Sequence, residues 1–451
     1  MLAIVSDLHL TDQSTANNVN AEAFELLGSD ILEVAGRRGA RDIHLVLLGD
    51  ILDLVRSDYW HRTSIPMGQR PWGGTLDRRT AMNVDRNAIR DQFHAVLTGI
   101  LATPTAQALG QMLATLGAGT VPFRVTYVVG NHDRVLWNFP SLQEAVRTAW
   151  PSLSAFEHAV ESAEYGVLGR HGHEWDENTH GWQFRRRVLV PGEVLDRFAP
   201  EAYETMAIGE VVTAELMSGL VFHARDQGAP EPLLGQLRDV NNLRPLLDVF
   251  AWLEWIGGVG DRAHRRLLHE ALRRALDGLL ESSLAHEWDR LATDYLVSGD
   301  LVDRLEQARA VLLGPDFESF HGRVEALKRL QRLVPALMPA QDGLLEGARS
   351  EALFGEGTDA GGIQRVIYGH THRARHDYFS GRPDGTVRMY INTGTFLPLI
   401  ARAADGRTFA SALQMTMVYA YGADEDTQRK RAGTSSLDIW NGTRHKLYET
   451  G

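Results

Sequence analysis

Five short runs of Asp, Asn and His stand where apolar, strand-like segments end, and any fold of this chain must decide whether those ends meet. They are Asp7-Leu8-His9, Gly49-Asp50-Ile51-Leu52-Asp53, Gly130-Asn131-His132-Asp133, His171-Gly172-His173 and Gly369-His370-Thr371-His372. Carboxylate oxygens and imidazole nitrogens suit divalent ions such as Mn²⁺, Fe²⁺ and Zn²⁺, and the chain has no cysteine to offer a thiolate. A single Asp-x-His or Gly-Asn-His-Asp is a weak signal, because a strand-end histidine is commonly just solvated. Five runs in series at strand ends predict a metal centre. Two ions about 3.5–4 Å apart can clamp a phosphate and lower the pKa of a bound water toward neutrality.

With 451 residues, 44% of them hydrophobic and 23% charged, the chain has the size and composition of a multidomain globular protein. The first apolar run, Leu2-Ala3-Ile4-Val5, leads almost directly into Asp7, without the basic and apolar regions of a secretory signal. The apolar stretch around Leu246–Gly260 carries Asp248 and Glu254 and is too short for a bilayer. No transmembrane segment is expected, and the default location is cytoplasmic. A formal net charge of −12 disfavours a broad nucleic-acid surface, though not a narrow basic channel. The expected partner is an anionic, phosphate-containing substrate drawn in by metal charge. Oligomeric state is not legible.

Periodicity divides the chain into three parts. In 1–180, strand-like segments (Leu2–Val5, Ile43–Leu48, Phe123–Val129, Tyr165–Gly169) alternate with helical ones (Ala21–Arg38, Met82–Leu116 weakened at Pro104, Ser141–Trp150 capped by Ser141). In 181–360 the alternation gives way to helical periodicity over Val211–Ala224, Leu243–Ile256, His264–Leu280, Leu301–Leu312 and His321–Leu337. This helical insertion holds 20 Lys and Arg against 29 Asp and Glu, so it carries −9 of the formal charge. Strand character returns in 361–451, at Arg365–Tyr368, Val387–Asn392, Ala412–Ala420 and Ser436–Trp440.

The ordered set Asp-x-His, Gly-Asp-x-x-Asp, Gly-Asn-His-Asp, His and Gly-His-x-His resembles the calcineurin-like metallophosphoesterases, over 1–180 and 361–451 but not the insert. The resemblance implies an α/β fold, a four-layer αββα sandwich of two mixed β-sheets flanked by helices. It implies two divalent ions, Mn²⁺ or Fe²⁺ first and Zn²⁺ also feasible. One ion would be held by Asp7, His9, Asp50 and His372, and the other by Asp50, Asn131, His171 and His370. His132 would protonate the leaving oxygen, oriented by Asp53 or by the competing Asp133, while hydroxide on the metals attacks. His171 fits the family position better than His173. Glu174 and Asp176 are either supporting groups or solvated residues.

The resemblance is specific for chemistry and loose for substrate. Leu54 follows Asp53 where the Ser/Thr protein phosphatases carry an Arg, and Asp133 replaces their Glu. His132 separates the chain from UDP-diacylglucosamine hydrolases, whose corresponding residue is Arg, although those enzymes also place a helical lid after the fourth motif. A phosphoesterase acting on a small nucleotide- or lipid-linked substrate is expected. A metal-dependent nuclease is the alternative, and a non-catalytic scaffold a third reading that the complete ligand set disfavours. Three segments stay open between substrate contact and plain packing: the loop Arg56–Arg79 with Tyr59, Trp60 and Trp72, the apolar residues Phe250, Trp252, Leu253, Trp255 and Ile256, and Arg185-Arg186-Arg187.

Overall fold

The structure, a computed structural model, describes residues 1–62, 64–78, 81–83, 85–244, 248–258, 262–291, 301–312, 341–351, 362–381, 387–428 and 434–445. The helix expected at 321–337 lies outside them. The described strands are β1 (Leu2–Val5), β2 (Ile43–Leu48), β3 (Thr75–Asp77), β4 (Ala81–Asn83), β5 (Phe123–Val128), β6 (Leu153–Glu157), β7 (Ala159–Ser162), β8 (Val167–Arg170), β9 (Arg365–Tyr368), β10 (Ala374–Gly381), β11 (Val387–Thr393), β12 (Pro398–Arg402), β13 (Phe409–Tyr421) and β14 (Ser436–His445).

Two mixed sheets result. The larger runs β12-β13-β1-β2-β5-β6 with β14 added beside β13; the smaller runs β10-β11-β9-β8-β7. In the larger, β1, β2, β5 and β6 are parallel while β13 meets β1 antiparallel. In the smaller, β9 lies parallel to both β8 and β11. The whole 181–360 segment therefore departs and returns between two hydrogen-bonded neighbours, β8 and β9.

The apolar runs are continuous because both faces of the central strands are buried. Along β2, Val46 and Leu48 join Leu2, Ile4, Val128, Val167, Ile367 and Ile391, residues from both sheets, in one cluster. Leu45 and Leu47 face the other way, into a cluster with Phe24, Leu27 and Ile31 of the helix Glu22–Arg38 and Phe93 and Leu97 of the helix Arg86–Leu101. The outer face of the smaller sheet packs Val366 and Tyr368 against Leu344 and Ala348 of the helix Gln341–Ser350.

Local chemistry sets several boundaries differently from expectation. The helix anticipated over Met82–Leu116 is two, Arg86–Leu101 and Pro104–Gly117. Pro104 cannot donate inside a helix but fits its first turn, and the Thr103 hydroxyl caps that turn by accepting from Ala106 N–H at 3.3 Å. The helix expected from Ser141 spans Pro140–Ala149 with Phe139 rather than Ser141 at its cap position. Within the insert, helices occupy Gly219–Asp226, Val249–Gly258, Arg262–Leu280 and Leu301–Leu312, with a π-helical stretch at Val212–Ser218.

Among the described residues, the insert's apolar side chains join the cores of the two sheets rather than a separate one. Phe250, Trp252, Leu253 and Ile256 are buried in the same cluster that backs the larger sheet, and Trp255 meets Phe409 of β13 at 5.7 Å. Their packing is that of ordinary core residues. The run Pro200–Asp226 has the length and hydropathy of a membrane span, yet 89% of its most apolar window is buried inside the protein.

Candidate metal centre

The five runs converge. Each is tied to another by backbone groups, so placing one places the next. Asp7 N–H donates to Gly49 C=O (3.1 Å) and His9 N–H to Asp50 C=O (2.9 Å), carrying the β1–β2 pairing past the strand ends. His132 N–H donates to Asp50 Oδ1 (2.8 Å), Gly369 N–H to His171 C=O (3.0 Å), and His370 N–H to the Asp7 carboxylate (3.1 Å).

Residues two apart on a strand point to one side, but that alternation does not aim these side chains. Asp7, His9, Asp50, His370 and His372 lie beyond their strands with φ between 44° and 70°, five of the seven described non-glycine residues with positive φ. Left-handed backbone costs an L-residue roughly 1–2 kcal/mol, and such strain collects where geometry serves a site. Gly172 explains why His171 and His173 diverge. Its φ of 100° turns the chain between them, and only His171 reaches Asp50.

Three groups of buried or half-buried side chains present donor atoms within 4.8 Å of one another: Asp7, His9 and His372; His9, Asp50 and His132; and Asp50, His171 and His370. Buried Asp and His groups this close can bind a metal ion. The outer nitrogens of three histidines are already committed. His171 Nδ1 donates to Leu48 C=O (3.0 Å), His9 Nδ1 to Asp53 Oδ2 (3.1 Å) and His370 Nε2 to Asp176 Oδ2 (3.1 Å). In the neutral tautomers those bonds select, the opposite nitrogens turn bare lone pairs inward. His171 Nε2 then faces Asp50 Oδ2 at 3.1 Å, and His9 Nε2 faces His372 Nε2 at 2.9 Å. Lone pairs set against a carboxylate and against each other need a proton or a cation between them. Asn131 adds a buried side-chain oxygen that lacks any hydrogen-bond partner. The residues present therefore fit a metal ion.

Without a cation, protons must do this work. Burial alone would push the His9 and His171 imidazoles down, but Asp53, Asp7 and Asp50 hold His9 up at about 9, and Asp50 holds His171 up at about 10. Asp50 is driven well below the usual carboxylate range, its burial outweighed by His171, His132 and His9. His372 is pushed down by burial, then by Arg244 and His9. Metal loading must displace the protons on His9 and His171. Apparent metal affinity is therefore expected to rise steadily with pH from 6 to 9, with about one proton released per ion near pH 7.5. In the chelated protein the raised pKa values stabilise the fold below about 6.5, and that contribution drains away as pH climbs through 9. Calorimetric titration in buffers of different ionisation enthalpy checks the release; an affinity flat with pH contradicts it.

The site's immediate support is equally specific. Asp53 contacts both His9 and His132, its Oδ1 lying 2.9 Å from His132 Nδ1. Asp133 does not share that role. It accepts from Gly130 N–H (2.6 Å), Ile51 N–H (3.0 Å) and Tyr127 O–H (2.6 Å), which braces the second and third runs against each other. Burial and the neighbouring Asp50 raise Asp133 to about 6. His173 is fully buried with both ring nitrogens unpartnered, and belongs to none of the three groups. Glu174 accepts from Gly172 N–H (2.9 Å) and Tyr203 O–H (3.0 Å), a bracing role. Thr179, which no pattern in the sequence marked, stands 3.3 Å from His370 Nε2.

A β-carbon on Gly130 would sit inside van der Waals contact of the Asp50 carboxylate and backbone, and one on Gly369 would strike the Asp7 carboxylate. Gly130→Ala is expected to cost about 1–3 kcal/mol of stability, as overpacking does. It should weaken metal binding more than its effect on melting suggests, because the clash falls on Asp50. Equal metal affinity in Gly130→Ala and wild type would contradict this geometry.

Several residues of the open segments have packing partners. Trp60 and Trp72 are fully buried, and Glu215 of the insert accepts from both Trp72 Nε1 and Arg70 Nη1 at 2.6 Å. Arg185 pairs with Glu193 (2.9 Å), and Arg186 lies over the Trp182 ring at 4.6 Å. One cation near the centre was not singled out in the sequence: Arg244, whose charge acts on Asp7 and His372. It lies in Asn241-Asn242-Leu243-Arg244, which follows no pattern that would mark it. No protein-family model matches the chain, and no curated protein matches it.

Proposed function

We propose that this protein is a two-metal phosphoesterase of the calcineurin-like superfamily, hydrolysing a phosphoester or diphosphate bond of a small nucleotide- or lipid-linked substrate. On this reading the two sheets and their covering helices form a four-layer αββα sandwich, interrupted by the helical insertion, and the protein is cytoplasmic. The observation that carries it is the position of Asp50, a buried carboxylate common to two of the donor groups, with inward-facing imidazoles on either side.

Asp7, His9, Asp50 and His372 would hold one ion, and Asp50, Asn131, His171 and His370 the other. When bound, divalent ions supply positive charge for phosphate oxygens and a water acidified toward neutral pH; Mn²⁺ or Fe²⁺ suits the donor set best, with Zn²⁺ also compatible. The protein's own contribution is orientation and proton handling. Asp53 Oδ1 stands against Nδ1 of His132 at 2.9 Å, while Nε2 lies on the side of the shared carboxylate, 4.0 Å from Asp50 Oδ2. A proton held at that nitrogen is placed to reach the oxygen leaving a phosphorus atom beside Asp50. The His132 side chain is 12% exposed, so it stands at the boundary between the buried donors and the open face.

The reading is tested by Mn²⁺-loaded protein against mono- and bis-(p-nitrophenyl) phosphate, nucleotides, sugar-nucleotide lipids and a DNA oligonucleotide. Turnover of small phosphoesters is expected. Cleavage of the oligonucleotide alone would favour a nuclease, and no release from any substrate by metal-loaded protein would contradict the hydrolase reading.

A further inference from the structure

We propose that Arg244 of the helical insertion is a substrate-contacting residue that binds the phosphate group, paired with Arg373 as a cationic cradle beside Asp7 and His372. The inference rests on the phosphoesterase reading and adds to it the insertion's part in holding the substrate.

The backbone brings Arg244 to the site. The Thr395 hydroxyl donates to Asp7 C=O (2.7 Å), and the chain runs from there into β12. In β12, Ile400 bridges to Leu243 and its carbonyl accepts Arg244 N–H (2.9 Å). The loop enclosing Asp7 thus continues into the strand that anchors Arg244. Its guanidinium is pinned, since Nη1 donates to the carbonyls of Asn241 and Leu243 at 2.7 Å each. That leaves Nε and Nη2 without a carboxylate among the described residues.

Four other arginines in or against the insert are paired with carboxylates. Arg134 pairs with Glu210, Arg185 with Glu193, Arg225 with Asp58 and Arg238 with Glu231. Among the described residues Arg244 has no such partner, and neither does Arg373, the residue after His372. Arg244 is half-buried, and burial and the repulsion of Arg373 and Arg56 outweigh Asp7 to push it down to about 10. A partly buried guanidinium held rigidly beside a second cation is costly unless an anion completes it. The planar fork of donors matches two phosphate oxygens, and Asp7 and His372 mark where that phosphate would sit.

Calorimetric titration of inorganic phosphate into Mn²⁺-loaded protein tests this without needing turnover. Arg244→Gln is expected to weaken phosphate by roughly 10- to 100-fold, the range of a lost charge-assisted pair. Arg244→Lys should fall between, because it keeps the charge and loses the fork. Arg407→Gln, on the exposed turn after β12, should match wild type. With p-nitrophenyl phosphate, Arg244→Gln should raise KM more than it lowers kcat. If Arg244→Gln melts early, Arg244→Lys and Arg373→Gln read the same affinity. Phosphate affinity in Arg244→Gln within twofold of wild type overturns the proposal, as does wild-type protein that holds Mn²⁺ but not phosphate. Unchanged affinity alongside normal turnover removes Arg244 alone. Weakened affinity in a protein that turns nothing over keeps the anion site and removes the hydrolase reading.

Discussion

Asp50→Asn is expected to reduce tightly bound divalent metal from two equivalents to at most one and to lower phosphoester turnover by a factor on the order of 10³ or more. Asn matches Asp in size, so the β2 terminus and the Gly130 contact survive. It replaces one of two anionic oxygens with a donor and removes the charge that helps hold His9 and His171 up. A neutral amide cannot serve two cations at once. The metal-free variant also loses the carboxylate that holds His171 up, so its imidazole shifts toward the neutral form that burial favours. Metal analysis by mass spectrometry and steady-state kinetics read both effects. Two full equivalents in Asp50→Asn would show that the carboxylate is not shared.

The second large effect is kinetic alone. His132→Ala should cut kcat by about 10²- to 10⁴-fold, the usual contribution of a general acid, while metal content stays at the wild-type value. The geometry leaves room for the opposite result, because His132 also belongs to a donor group with His9 and Asp50. Two features argue for the acid. Its Nδ1 lies against Asp53, and His171 and His9 already stand nearer Asp50 at 3.1 Å and 3.6 Å than His132 does at 4.0 Å. Asp53→Asn should give a milder loss, since it leaves the imidazole in place and removes only its orientation. A fall in metal content in His132→Ala would make it a ligand instead.

The residues that gather at the candidate centre were legible in the chain because Asp, Asn and His stand out by residue type at the ends of apolar strands. The β1, β2, β5, β8 and β9 segments were legible for a related reason: strands buried on both faces read as unbroken apolar runs. What sequence could not show was how the donors are aimed. A strand-end Asp-x-His reads as two side chains on one face, yet here left-handed backbone at both residues does the aiming. Asp53 and Asp133 sit equally well in sequence to orient His132, and only the hydrogen bonds of Asp133 to Gly130, Ile51 and Tyr127 separate them. The Arg56–Arg79 loop resembled a substrate loop because Trp and Arg serve both binding and packing. Glu215, more than 130 residues away, takes both Arg70 and Trp72 into packing. Short strands such as β7 and β12 carry too few residues to show a period.

The central claim is that two cations share Asp50. Anomalous diffraction from Mn²⁺-loaded crystals tests it most directly. Two peaks about 3.5–4 Å apart, one beside Asp7, His9 and His372 and the other beside Asn131, His171 and His370, with an Asp50 oxygen on each, are the expected result. A single peak, or density that leaves Asp50 without a metal neighbour, would contradict the account.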